Sequence, residues 1–175
     1  VFDGASFGIE SDRTLAFQMP SFTECVTIVD YARTRGRWAC AKGDVLPQPE
    51  GHEADYLACV TGLRDYVEKN RFPGVVLGLS GGIDSAVVAA MAVDALGAER
   101  VHCVMLPYLY TASESLTDAE ACAKALGCRY DVVPIAPVIE GFTQVLAPVF
   151  AGRSPDVTEE NLQSRARGTI LMAIS

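Results

Sequence analysis

From residue 74 onward, short apolar runs alternate with longer amphipathic stretches. Val75 to Leu79 is continuously apolar, as expected of a strand covered on both faces. Ser85 to Leu96 is apolar nearly all round, which predicts a buried helix ended by Gly97. Val101 to Leu106 reads as the next strand. Ser115 with Asp118 has capping-box spacing and predicts a helix that runs to Gly127. Arg129 to Val133 reads as a third strand. Pro137 suits the first position of a further helix, with Val138, Phe142, Val145 and Val149 on one face. Thr158 is placed to cap a last helix carrying Leu162, Ala166, Ile170 and Ala173. The alternation predicts an α/β fold: a Rossmann-like parallel sheet with helices on both faces.

The first part of the chain follows another pattern. Val1 to Ile9, Thr14 to Gln18 and Cys25 to Val29 are β-like, and Ser11-Asp12-Arg13 suits a hairpin turn. Gly36, Gly43, Pro47, Pro49 and Gly51 punctuate residues 35–51, as in a linker between domains. Residues 53–70 read as an amphipathic helix on Tyr56, Val60, Leu63 and Val67. Glu53 and Asp55 suit its positive start, and Lys69 and Arg71 its end. No internal repeat is evident.

Candidate chemistry concentrates between the first strand and helix of the alternating part, at Gly78-Leu79-Ser80-Gly81-Gly82-Ile83-Asp84-Ser85. A first helical turn offers unpaired N–H groups and partial positive charge, which suit phosphate. Paired glycines let a ligand approach the backbone. Ser80 and Ser85 add hydroxyls, and Asp84 adds a carboxylate suited to Mg²⁺. No Lys-Ser or Lys-Thr follows Gly82, so this is no Walker A loop, and G-x-G-x-x-G is absent too. The plain alternative is an ordinary Gly-Gly turn. Ligands of parallel sheets bind beyond the carboxyl ends of the strands. Residues 80–85 and the segment from Pro107 to Ser113 should therefore meet on one rim.

A second constellation runs from Glu160 to Gly168 on the last helix. Asn161 and Arg165 share one flank of the apolar stripe, and Gln163 and Arg167 share the other. Arginine forks suit phosphate or carboxylate, whereas the plain alternative is a solvated helix face.

Composition narrows the classes. With 175 residues, half of them hydrophobic and 21% charged, the chain has a globular composition. Its net charge of −8 opposes non-specific nucleic-acid binding, and its apolar stretches are too short to cross a bilayer. The six cysteines contain no C-x-x-C, and the two histidines have no paired ligand spacing. Cys59, Cys103 and Cys122 fall in apolar segments and are expected as buried free thiols, in keeping with a reducing cytoplasmic compartment. The start at Val1 and the end within an apolar helical pattern suggest a fragment of a longer protein.

The S-G-G-x-D-S order resembles the pyrophosphate-binding loop of ATP pyrophosphatases (adenine nucleotide alpha hydrolase-like folds). Together with Thr111 to Ala119 and Glu160 to Gly168, it resembles the NAD⁺ synthetase family. The opening Phe2-Asp3-Gly4-Ala5-Ser6-Phe7 resembles the end of the nitrilase-like glutaminase domain fused to the glutamine-dependent members. The resemblance implies residues 1–34 as the end of that domain, 35–52 as linker, and 53–175 as the first part of a synthetase domain.

It further implies amidation of nicotinic acid adenine dinucleotide to NAD⁺ by ATP, through an adenylated intermediate. AMP and pyrophosphate are released, and glutamine supplies the ammonia. Gly78, Leu79, Ser80, Gly81, Gly82, Ile83, Asp84 and Ser85 would bind ATP, with Ser80, Gly81, Gly82 and Ser85 on the phosphates and Asp84 on Mg²⁺. Asn161 and Arg165, and more weakly Arg167, would contact the dinucleotide. No catalytic nucleophile is expected, because the substrate carboxylate attacks. A cytoplasmic homo-oligomer is implied, without nucleic-acid or membrane partners.

Leu109 stands where the family usually carries a basic residue. The glutaminase triad and a Thr-Gly-Asn-Lys-Ser-Glu segment would lie outside this chain, which is therefore expected to be inactive alone. The competing readings are another amidating ATP pyrophosphatase, such as a GMP synthetase, or a non-catalytic nucleotide-binding domain on the same scaffold.

Overall fold

A computed structural model describes residues 3–152 and 157–175, with Lys42 described by its backbone alone. Val1 and Phe2, which open the first predicted strand and the nitrilase-like motif, lie outside the described residues. The chain forms two compact units, Val1–Asp65 and Tyr66–Ser175.

In the first unit, strands β1 (Phe7–Ile9) and β2 (Leu15–Gln18) pair antiparallel. The predicted turn joins them. Arg13 adopts φ 73°, and the Asp12 carboxylate accepts from the Thr14 hydroxyl at 2.6 Å and from its N–H at 2.9 Å. These bonds, the hydroxyl's first, hold the Asp12 carboxyl below its ordinary range.

Strands β3 (Asp30–Thr34) and β4 (Arg37–Lys42) form a second antiparallel ladder. This corrects two expectations. Cys25 to Val29 forms no strand: it has no ladder partner, and Val26 is 98% exposed. The punctuated stretch 35–51 contains β4 rather than being linker throughout. Arg35 and Gly36 both take positive φ, 52° and 81°, which is the two-residue hairpin turn that matches strand twist. That turn pairs Thr34 with Arg37 and so sets the register.

Helix α1 (Gly51–Lys69) buries Val60 and Val67 and half-buries Tyr56 and Leu63, as the periodicity predicts. Cys59 faces outward, contrary to expectation, because it lies off that stripe.

The second unit holds the predicted parallel sheet. Strands β5 (Val75–Gly78), β6 (Val101–Met105) and β7 (Arg129–Val132) lie in that order, with Leu77, Cys103 and Tyr130 in register. Helix α2 (Ile83–Leu96) crosses from β5 to β6, and α3 (Ser113–Leu126) from β6 to β7. Helices α4 (Ala136–Phe150) and α5 (Val157–Ile174) follow. Val104, Leu106, Ile135, Ile139 and Ala166 form a buried cluster, against which Leu162, Ile170 and Leu171 of α5 pack. Each of the valine, leucine and isoleucine side chains there stabilises the unit by about 1.5–3 kcal/mol before its entropy cost. Helices α2 and α3 close in through alanines, with Ala89, Ala92, Ala119 and Ala123 buried.

Several boundaries and faces differ from prediction. Helix α2 starts at Ile83 and is covered along its alanine face only, while Val87 and Val88 stay exposed. Helix α3 starts at Ser113 behind Ala112, with no side-chain cap, so Ser115 lies inside the helix. In α4 the stripe of Val138, Phe142, Val145 and Val149 is exposed, and Ile139 is the residue that enters the core. The two faces are one residue apart in sequence, and hydropathy alone does not choose between them. Thr158 lies in the first turn of α5 rather than ahead of it.

Candidate functional site

The site grows from the end of β5. Leu79 extends the pairing by donating its N–H to the Val104 carbonyl at 2.9 Å. Its side chain is fully buried, so Leu79 anchors the loop in the core and offers a ligand only its backbone. The chain then turns through Ser80, Gly81 and Gly82 into α2. Gly81 adopts φ 82°, and a Cβ there would stand 2.3 Å from the Ser115 carbonyl oxygen. The turn is thus seated directly on the first turns of α3.

Four hydrogen bonds shape the turn. Ser85 Oγ donates to the Gly82 carbonyl at 2.9 Å and accepts the Ser80 N–H at 3.1 Å. The two hydroxyl oxygens lie 3.0 Å apart, and the Gly82 N–H reaches Ser80 Oγ at 3.3 Å. Ala86 donates to Gly82, the first main-chain bond of α2. The N–H groups of Ile83, Asp84 and Ser85 find no acceptor among the described residues, which is the state of a helix start open to an anion. The Ile83 and Asp84 side chains project outward.

Two further segments meet this loop. After β6, Tyr108 donates its N–H to Thr111 Oγ1, and Thr111 returns its N–H to the Tyr108 carbonyl, both at 2.9 Å. This tight turn brings Thr111 to the rim. From α5, Arg167 Nε donates to the Leu106 carbonyl at 3.0 Å. Gly78, Ser80, Leu106, Thr111, Arg167 and Leu171 line a cleft of about 360 Å³. Larger hollows of about 450 Å³ and 630 Å³ lie elsewhere, but neither adjoins a free helix start. The expected meeting of the two segments on one rim is therefore present.

The remaining sequence candidates separate. Arg167 is half-buried and, among the described residues, is the one cationic side chain lining the cleft. Asn161 and Arg165 lie exposed and do not line it, and neither side chain bonds to a described residue. Leu109 and Tyr110 are exposed, with Tyr110 edge-on to Tyr108 at 6.2 Å. Among the described residues no three His, Cys, Asp or Glu side chains gather as a metal site. Asp84 stands alone beside the free N–H groups. One carboxylate plus phosphate oxygens is the usual protein share of a Mg²⁺ shell, so the residues fit that ion.

One cluster escaped the sequence reading. His102 Nε2 and Arg129 Nη2 lie 2.8 Å and 2.9 Å from Asp131 Oδ2, across β6 and β7. The His102 bond first, then Arg129, holds the Asp131 carboxyl below its ordinary range. Strand register alone brings these residues together, because His102 pairs with Arg129.

The sequence profile of the family described as NAD synthase matches residues 56–175. The chain belongs to that family. NAD synthases most similar to it include the glutamine-dependent NAD(+) synthetase of Rhodobacter capsulatus, 53% identical over all of this chain and 32% of that protein. The solved glutamine-dependent NAD⁺ synthetase of Acinetobacter baumannii, in complex with ADP, superposes with a TM-score of 0.94. It is 44% identical and is covered over 33% of its chain, against 100% of this one. The NH3-dependent NAD synthetase of Campylobacter jejuni, solved with a nitrate ion, gives a TM-score of 0.64 at 27% identity. That match covers 73% of this chain and 53% of the other. The chain thus spans about a third of the length of the curated relatives it matches. Among the described residues, no helix is long and apolar enough to cross a membrane.

Proposed function

We propose that the chain is the phosphate-binding part of a glutamine-dependent NAD⁺ synthetase. The whole protein amidates nicotinic acid adenine dinucleotide, with ATP consumed to AMP and pyrophosphate. The observation that carries this is the free start of α2, at the end of a loop that shares a cleft with Arg167 through Gly78, Leu79 and Ser80, in a chain of this family. The family match also favours this substrate over the nucleotide that a GMP synthetase amidates.

Each side chain has a task in this reading. The α2 start and the Gly81-Gly82 turn receive the ATP phosphates. Asp84 holds Mg²⁺, which neutralises phosphate charge when bound. Arg167, fixed through Nε to Leu106, presents its remaining donors to the anionic groups at the α-phosphate. Asn161 and Arg165 lie on the open flank of α5 and serve the dinucleotide. The substrate carboxylate attacks phosphorus, so this region contributes positioning and charge neutralisation rather than a nucleophile. Ammonia comes from glutamine at a glutaminase domain, of which β1 to β4 form the end, while α1 opens the synthetase domain. The six free cysteines agree with a cytoplasmic protein, which we take to be a homo-oligomer.

Asp84→Ala in the intact protein tests this reading. Mg²⁺-dependent formation of NAD⁺ and release of pyrophosphate should fall by at least about a hundred-fold. Turnover at the parent rate would overturn the assignment.

A further inference from the structure

The pairing of β6 with β7 brings two thiols together. Cys103 lies in the middle of β6, and Cys128 stands between Gly127, the left-handed end of α3, and the first residue of β7. Cys103 is opposite Tyr130 in the parallel register, so Cys128, two positions before Tyr130, belongs to the same face of the sheet. Their sulfurs are 3.5 Å apart. The end of α3 holds Cys128 there: its N–H donates to the Ala123 carbonyl at 3.2 Å, and its Sγ lies 3.7 Å from the same oxygen.

The two sulfurs differ in access. Cys103 has no exposed surface, whereas Cys128 is half-buried. A dissolved oxidant therefore meets Cys128 first. Burial, then the bond from Cys128, pushes the Cys103 thiol up to about 12, so it stays protonated and is no direct target of peroxide. An accessible thiol against a sheltered one is the arrangement of an attacking cysteine and its resolving partner. The sulfurs of a disulfide stand about 2.05 Å apart, so the pair must close by roughly 1.5 Å.

We propose that Cys103 and Cys128 are a peroxide-responsive pair that closes to a reversible disulfide. The Cys128 thiolate attacks one oxygen of hydrogen peroxide. The O–O bond breaks, the sulfur is oxidised to a sulfenic acid, and the departing hydroxide takes up a proton as water. The Cys103 sulfur then attacks the Cys128 sulfur. The S–S bond forms, the S–OH bond breaks, and the Cys103 proton leaves with that hydroxide as a second water. Two electrons pass from the thiols to one peroxide, and a dithiol reductant returns them. The bridge fastens β6 to the amino end of β7, away from the cleft at the carboxyl ends. It also shields Cys128 from irreversible oxidation to sulfinic acid.

The test uses the intact, reduced protein, hydrogen peroxide at neutral pH, alkylation after denaturation, and mass mapping of peptides. The expected product is a peptide joining Cys103 to Cys128, lighter by two hydrogens than its separate halves and released by dithiothreitol, while Cys122 still alkylates. In Cys103→Ser the bridge should be lost, and Cys128 should give a dimedone adduct, the mark of a sulfenic acid, and then sulfinic acid on longer exposure. Cys128→Ser changes the half-buried member instead, so it serves if a buried serine unfolds the strand. It should show neither bridge nor adduct at Cys103. A bridge from Cys128 to Cys122 overturns the pairing, as does sulfinic acid at Cys128 of the parent without a bridge. Peroxide that oxidises the exposed Cys25 and Cys59 yet leaves Cys103 and Cys128 free to alkylate overturns it equally.

Discussion

Gly81 and Gly82 are adjacent, yet their substitution by alanine should fail in different ways. At Gly81 the backbone has φ 82°, and a Cβ would meet the Ser115 carbonyl oxygen at 2.3 Å and its Cα at 2.8 Å. The left-handed conformation costs an L-residue about 1–2 kcal/mol. Forcing a methyl group against α3 backbone adds about 1–3 kcal/mol. A loss of at least ~2 kcal/mol lowers the midpoint of a unit this size by roughly 8–16 °C. At Gly82, φ is −86°, and the nearest atom to a Cβ is Ser80 Oγ at an ordinary 3.5 Å. Reduced freedom of the unfolded chain offsets the poorer helix cap, so Gly82→Ala should change stability by no more than about 0.5 kcal/mol. The added methyl would nevertheless stand where an anion approaches the loop. Thermal melts with and without Mg²⁺–ATP separate the two effects. Gly81→Ala should melt early. Gly82→Ala should melt like the parent but lose the stabilisation ATP confers on it. If Gly81→Ala melts within about 2 °C of the parent, the close seating of the loop on α3 is wrong.

Four further outcomes follow from the geometry. Arg167→Ala should lower kcat/KM of the intact protein by about 10- to 100-fold, the worth of hydrogen bonds to a charged group, with little return in Arg167→Lys because the tie to Leu106 is lost. Arg165→Ala should instead raise KM for the dinucleotide more than KM for ATP, and equal changes would count against that contact. The Asp131 carboxyl sits below its usual value, so its contribution is complete above the ordinary aspartate range and disappears as pH falls through the lowered value. Asp131→Asn should therefore destabilise the unit at neutral pH and lose that difference in strong acid, as read from unfolding curves across pH. Burial pushes the Cys103 thiol up to about 12, so alkylation near pH 8 should modify the exposed Cys25 and Cys59 and spare Cys103.

What could be read from the sequence was what neighbouring residues decide among themselves. The strand–glycine–helix transition at Gly78 to Ser85 depends on a few adjacent residues, and the fold follows from the alternation after residue 74. The hairpin at Arg35-Gly36 was also local, but Arg at a positive-φ position is a weak turn signal beside Asn or Asp. The sequence places Val138, Phe142, Val145 and Val149 on one face of α4, but Ile139 is apolar too, and only the position of the sheet decides which face is covered. The environments of the α5 candidates are beyond sequence for a similar reason. Arg165 and Arg167 are alike in sequence, and only the docking of α5 gives Arg167 the Leu106 carbonyl and leaves Arg165 in the open.

That bond between Arg167 and Leu106 also bears on the order of biosynthesis. The Gly78-to-Ser85 loop is complete as soon as β6 and α3, on which it is seated, have emerged and formed. The wall opposite the loop comes from a helix more than a full crossover unit later in the chain, and it closes 61 positions of sequence. Closing so long an interval is among the slower steps of forming a small domain. A nascent chain would thus carry a well-formed loop for some time with no cleft for a nucleotide to occupy. Nucleotide would select chains in which α5 has already docked, so ligand present during synthesis would act on the last folding step and leave the first untouched.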